Sequence, residues 1–266
     1  MMRKGVTVSF DDYCKERKEP TQNELMLYLE EVNQLCPLCG KAFLYQTTKS
    51  TVKGCEIAHV FPNSPTPREK EILKDVEVVG DDSESFENKI ALCLDCHTEY
   101  DANKTVESYN EMLELKRRLY AELRAKKELS GENIEAELTT VVKQLSEVSD
   151  EDLDGIGKLS YESLKVSQKV DIFPLRKRIE SDVTSFYPFC RQRFKDIDST
   201  GTKFNIICLS VKKSYLKLKS KGLGKEEIFE QMTDWLVSKT HASRAACGIM
   251  VSFFVQNCDV YDEISK

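Results

Sequence analysis

The spacing of apolar residues changes character along the chain, and the changes predict its elements. Thr21 to Gln34 places Leu25, Leu29 and Val32 on one helical face. Residues 51–60 read as a short strand pair that ends at His59-Val60, after which Pro62, Pro65 and Pro67 break the chain. Thr66, Pro67 and Glu69 have the N-cap, N1 and N3 residue types of a helix start. Asp81 to Ser85 reads as a polar loop, and Asn88 to Tyr100 opens another helix. From Thr105 to Leu129 the residues Val106, Tyr109, Met112, Leu113, Leu119 and Leu123 keep helical spacing. Gly131 interrupts, 132–148 allows a further helix, and Ser149 to Gly157 reads as a linker. Helical patterns then follow around 179–194, 204–219, 225–238 and 242–257, with a turn at Gly222-Leu223-Gly224.

This division predicts an α+β protein: a small N-terminal domain over 1–129, an acidic helical linker over 130–168 and a mainly helical domain over 169–266. The apolar run Ala245–Val255 is too short to span a bilayer and is expected as a buried helix, and Trp235 as core. With no signal-like apolar stretch behind Arg3 and Lys4, the expected location is cytoplasmic, without membrane association.

Composition alters this picture in two places. The net charge of -6 does not suggest a polyanion binder, but its distribution is uneven. Residues 36–101 hold 7 basic and 12 acidic groups, 128–160 hold 2 and 9, and 171–225 hold 13 and 5. The acidic 128–160 segment is therefore expected to lie against the basic 171–225 face and to screen it until activation. Among the ten cysteines, four form the pairs Cys36/Cys39 and Cys93/Cys96. In a reducing compartment such pairs are better suited to a metal than to disulfides. Four thiolates on two tight turns make a closed tetrahedral site for a structural Zn²⁺. The other six, Cys14, Cys55, Cys190, Cys208, Cys247 and Cys258, read as small buried apolar residues.

Only three histidines occur, and two of them, His59 and His97, lie between or beside the cysteine pairs, with Asn88 between them. The third, His241, reads as a loop or helix-start residue. The stretches Cys36-Pro37-Leu38-Cys39-Gly40, Glu56-Ile57-Ala58-His59-Val60-Phe61-Pro62 and Asn88 through Asp101 (NKIALCLDCHTEYD) together resemble the HNH endonuclease family over about residues 30–105. The resemblance implies a ββα-metal fold, a β-hairpin and a helix around one divalent cation, and hydrolysis of DNA phosphodiester bonds. By position, His59 resembles the general base that activates water, and Asn88 the residue that holds its ring. His97 and Asp101, four apart on one helix face, resemble ligands of a catalytic Mg²⁺ or Mn²⁺. Many family members place a further ligand directly before the base. That position here is Ala58, and Glu56, on the same strand face, is either the substitute ligand or a surface carboxylate.

The acidic core implies weak binding to DNA unless Lys41, Lys49, Lys53 and the cluster Lys116, Arg117, Arg118, Arg124, Lys126 and Lys127 contribute; that cluster reads equally as a solvated helix face. The segments Phe173–Phe189 and Phe253–Ile264 resemble the C-terminal domains of ABC three-component (Lamassu-type) antiviral effectors. That resemblance implies an SMC-like ATPase and a small accessory subunit as partners, and self-association on release. The alternative from another class is a non-catalytic zinc-ribbon module that binds nucleic acid or protein through the basic 171–225 region.

Overall fold

A capping box starts the first long helix. Thr21 N–H donates to Glu24 Oε2 at 2.7 Å while Glu24 N–H donates back to Thr21 Oγ1 at 3.3 Å. The computed structural model describes residues 10–46, 48, 50–157, 159 and 165–257. Lys49, Cys258 and the closing stretch 259–264 lie outside these described residues. Its described residues are α+β, 62% of them helical, with two small two-stranded sheets, and the chain divides into two compact units, Met1–Leu123 and Arg124–Lys266.

In the first unit the elements run α1 (Phe10–Tyr13), α2 (Gln22–Glu31), β1 (Leu44–Gln46), β2 (Thr51–Lys53), β3 (Cys55–His59), α3 (Pro67–Ile72), a 3-10 turn (Phe86–Asn88), β4 (Lys89–Cys93) and α4 (Leu94–Ala102). The helix α5 (Val106–Ser130) begins in this unit, and the boundary falls within it. Residues 51–60, expected as one strand pair, belong to two sheets: β2 pairs with β1, and β3 pairs with β4. The register of the second sheet runs from Cys55↔Cys93 to His59↔Lys89. All five residues of β4 are buried, so it lacks the alternation by which a strand is read from sequence. The expected helix start at Thr66 is present as a capping box with Glu69 and Pro67 in the first turn.

The core of this unit gathers Tyr13, Phe43, Phe61, Ile90, Leu92 and Tyr109. Its tyrosines keep their hydroxyls satisfied by donating to backbone carbonyls: Tyr13 to Val79, Tyr100 to Val60 and Tyr109 to Glu77. Lys116 departs from both sequence-based options, DNA contact or solvated face. It is buried, donates to both Glu31 carboxylate oxygens at 2.6 and 2.7 Å, and lies 4.1 Å from the Phe86 ring centroid. Burial, opposed by Glu31, lowers its pKa to about 8. Arg117 pairs with Glu77 at 2.5 Å.

The second unit holds α6 (Ala136–Ser146), α7 (Asp150–Leu153), α8 (Val166–Lys169), α9 (Phe173–Ile197), α10 (Thr202–Lys219), α11 (Lys225–Thr240) and α12 (Arg244–Asn257). The apolar run expected as a buried helix lies in α12, buried from Ala246 to Val255 except for the half-buried Ile249; α12 packs on α9 and α11, and Trp235 joins the same core. His241 caps α11 in a left-handed conformation, φ 55°. The segment expected as a linker is instead core: Leu138, Val141, Val142 and Leu145 form a helical stripe that seals against α9 and α12. The acidic residues before and along it meet the lysines of α10, as their charges suggest. Glu128 pairs with Lys217 and Lys221, Glu132 with Lys213 and Lys217, and Glu137 with Lys203. Among the described residues no helix is long and apolar enough to cross a membrane.

Removing one partner of the buried Lys116–Glu31 pair strands the other charge. Lys116→Ala is expected to lower unfolding free energy by about 3–5 kcal/mol in urea titration, and Lys116→Met with Glu31→Leu to recover part of that loss. A loss below about 1 kcal/mol from the single variant would mean that the pair behaves like a surface contact.

Candidate active site

The short strands of the first unit place two clusters at opposite ends of β3. At one end, the first knuckle closes through Gly40 N–H on Cys36 O at 2.7 Å and Cys36 N–H on Lys41 O at 2.8 Å, with Gly40 at φ 74°. The second pair stands at the passage from β4 into α4. The donor atoms of Cys36, Cys39, Cys93 and Cys96 lie within 4.8 Å of one another, and the sulfurs of Cys39 and Cys93 are 3.6 Å apart. Burial alone would raise the Cys36 thiol, but backbone N–H groups of Cys93, Leu38 and Cys39 hold it down to about 7. Burial and the neighbouring thiols push Cys96 well up. The four sulfurs fit a structural metal, and an all-sulfur tetrahedral set is the donor chemistry of zinc.

At the other end, His59 closes β3 and is nearly buried, at 8% exposure. Its Nε2 lies 2.8 Å from Glu84 Oε1. Burial alone would raise the Glu84 carboxyl, but it accepts from Lys18 N–H and Lys89 Nζ as well as from His59, and its pKa falls below the usual carboxylate value. An ionised carboxylate only accepts, so Nε2 carries the proton and Nδ1 holds the lone pair. Desolvation outweighs the pull of Glu84 and lowers the His59 pKa, which keeps the ring neutral near pH 7.

Asn88 does not take the role its position implies. Its amide accepts from Phe61 N–H at 2.8 Å and donates to Phe61 O and Ser83 O, both at 2.9 Å. It clamps the chain that leaves β3 to the loop that carries Glu84, and the ring of His59 is held by Glu84. That loop turns at Gly80, φ 77°, where an added Cβ would come within 2.4 Å of Ser85 Cβ. It is strapped to the N-terminal segment by Ser83 N–H on Tyr13 O and Lys15 N–H on Ser83 Oγ.

His97 stands on α4 between two carboxylates. Its Nδ1 is 2.9 Å from Glu56 Oε2, and its Nε2 is 3.2 Å from Asp101 Oδ2. The hydrogen bond that its ring donates to Asp101 is the largest cause of its raised pKa; burial opposes it and Glu56 adds to it. The expected trio of ligands is thus brought together but does not converge. Glu56 and Asp101 take opposite ring nitrogens, and among the described residues the group of metal-type donors that gathers within 4.8 Å is the cysteine set. Glu56 occupies the place of an orienting carboxylate behind the imidazole, because the longer side chain from β3 reaches Nδ1.

His59, His97 and Asp101 line one cavity of about 360 Å³ together with Arg17, Arg68 and Lys104. Lys104 is buried and lies 3.1 Å from Asp101 Oδ1. Glu84, Arg17, Arg68 and Lys104 were not singled out by the sequence, since no spacing rule marks a lone residue in a polar loop or the basic residues of three separate segments. A base, a histidine–carboxylate pair and three cationic side chains facing one cavity form a site suited to a phosphate ester.

Comparison with family models finds that residues 125–261 match C-terminal domain 11 of the ABC-three component (ABC-3C) systems. Neither the curated proteins nor the solved structures give a match.

The zinc assignment is expected to give one mole of zinc per mole of purified chain by elemental analysis. Cys96→Ser should abolish it and lower the melting temperature of the first unit by several degrees or more. Full zinc retention in that variant would contradict the four-sulfur site.

Proposed function

The chain belongs to the ABC-three component (ABC-3C) family through its C-terminal domain 11, and from that premise we propose that it is the effector subunit of a bacterial defence system, with a metal-dependent HNH-type endonuclease in its first unit. A component domain of a three-component system implies further subunits. An ATPase that responds to foreign DNA and a small accessory subunit are the partners this reading assigns. The observation that carries the catalytic part is the shared cavity of His59, His97 and Asp101, reached from one end of a strand pair and the helix that follows it.

In this reading His59 is the general base. Glu84 holds its Nε2–H, so Nδ1 is the acceptor for a proton from the attacking water. His97 and Asp101 would hold the divalent cation, with Nδ1 of His97 kept on Glu56 so that Nε2 faces the cavity. When bound, the cation neutralises charge on the phosphate and on the leaving oxygen. Arg17 and Arg68 line the same space and supply cationic N–H donors to the phosphate oxygens. The non-catalytic alternative loses support from the second unit, because Lys203, Lys213, Lys217 and Lys221 are already engaged by acidic residues.

Plasmid cleavage by the full zinc-loaded chain in Mg²⁺ or Mn²⁺, with its partner subunits present, tests the reading. His59→Ala is expected to reduce the rate by at least about a hundredfold with zinc content unchanged. At saturating metal the rate should rise with pH through a midpoint below the ordinary histidine value of about 6.5, because burial depresses His59. At limiting metal the midpoint should move above that value, since the raised His97 keeps the proton that the cation must displace. Undiminished cleavage by a folded His59→Ala protein would remove His59 from the mechanism. Absence of cleavage under every condition, with salt-sensitive DNA binding, would favour the zinc-ribbon module.

A further inference from the structure

The ribbon formed by β1 and β2 has no role in the site described above. Its strands pair with each other, with Leu44 opposite Lys53 and Tyr45 opposite Val52. Both strands are largely exposed: every residue of β1 is, and only Val52 of β2 is half-buried. Leu44 and Tyr45 are each 48% exposed, well outside the core. A two-stranded ribbon of three-residue strands is marginal by itself. Here its root is fixed: Phe43 is fully buried, Gly54 N–H donates to Phe43 O at 2.7 Å, and Phe43 N–H donates to Gln34 O. Gly54 lacks the Cβ that would come within 2.9 Å of the Tyr45 ring, so the ring rests against the chain where it enters β3.

The charge of this segment contrasts with the rest of the first unit. Residues 40–54 contain Lys41, Lys49 and Lys53 and no Asp or Glu; Lys41 is paired with Asp95 at 3.1 Å and Lys49 lies outside the described residues, which leaves Lys53 as the lysine on the two strands. An anchored ribbon that exposes Leu44 and Lys53 side by side on one face fits a polyanion that offers flat apolar surfaces between its charges. A two-stranded ribbon also matches the width of the major groove of duplex DNA, about 12 Å.

We propose that the β1–β2 ribbon is a duplex-DNA contact through the face that carries the cross-strand pair Leu44 and Lys53, with Lys53 on a phosphate and Leu44 against base edges in the groove. The proposal rests on the reading of the first unit as a DNA endonuclease and adds where the substrate lies. Lys53 and His59 are joined by an extended chain through Gly54 and β3. At roughly 3.3 Å per residue the connection spans at most on the order of 20 Å, so the ribbon contacts the duplex within about six base pairs of the scissile phosphate. Phosphate and apolar contacts dominate, which makes the contact tolerant of sequence.

The test uses the full zinc-loaded chain and a fluorescent duplex of about 30 base pairs, with binding followed by anisotropy across a salt series without added Mg²⁺ or Mn²⁺. Leu44→Ala with Lys53→Ala is expected to raise Kd about tenfold, and Lys53→Ala alone to reduce the salt slope by about 1. Lys53→Arg should restore affinity. Zinc content and Mn²⁺-dependent hydrolysis of bis(p-nitrophenyl) phosphate should match the parent, which separates the ribbon from the reacting centre. Kd and salt slope equal to the parent would overturn the proposal. So would loss of self-association in sedimentation with duplex affinity unchanged, since the ribbon would then join copies of the chain. If the parent hydrolyses neither diester nor duplex yet the ribbon variants still lose duplex affinity, the ribbon proposal stands and the nuclease reading fails.

Discussion

The five-residue pairing of β3 with β4 is the constraint on which the first unit depends. Its register sets Cys55 opposite Cys93 at one end and His59 opposite Lys89 at the other. The thiol cluster and the cavity lined by His59 are therefore separated by the length of the strand, roughly 15 Å at the usual rise per residue. The same geometry explains how Cys96 and His97, neighbours in sequence, serve different centres. Successive residues on a helix point about 100° apart, so Cys96 turns toward the sulfurs and His97 toward Asp101 one turn further along. A cation held by the four thiolates would fasten the first knuckle to the start of α4, and with it the orientation of His97.

Around this pairing, polar groups are satisfied in a way that assigns the histidines opposite electrical roles. His59 is desolvated and held by one carboxylate, which favours the neutral ring. His97 is flanked by two, which favours the charged ring or a cation in place of a proton. Asn88 supports this arrangement from the backbone by tying Phe61 to the loop that presents Glu84. Ala58 is fully buried beside these groups. Ala58 offers no donor atom at that position, and Glu56 lies behind the His97 imidazole, on Nδ1.

Much of this was legible in the sequence because it is encoded by spacing. Two C-x-x-C pairs predict a four-sulfur cluster, and His97 with Asp101 at i and i+4 predicts a shared helix face. The Thr66–Glu69 cap was readable for the same reason. What depends on long-range burial was not legible. The run Ile90-Ala91-Leu92 is buried on both faces and has no period, so β4 was missed. Lys116 looks like part of a basic surface until Glu31 and Phe86, distant in sequence, enclose it. Glu84 is one of several acidic residues in a polar loop, and only the fold brings it to His59. The 130–168 segment is acidic overall, which masked the apolar stripe of α6.

The central claim is that the cavity bordered by His97 and Asp101 takes a divalent cation beside a histidine base, separately from the four-sulfur site. The most direct measurement is a Mn²⁺ titration of the zinc-loaded chain followed by electron paramagnetic resonance, in parallel with His97→Ala. One Mn²⁺ bound per chain, lost in the variant while its zinc remains, is the expected result. Mn²⁺ uptake unaffected by the substitution, or none in the parent at any pH where His97 is deprotonated, would contradict the account.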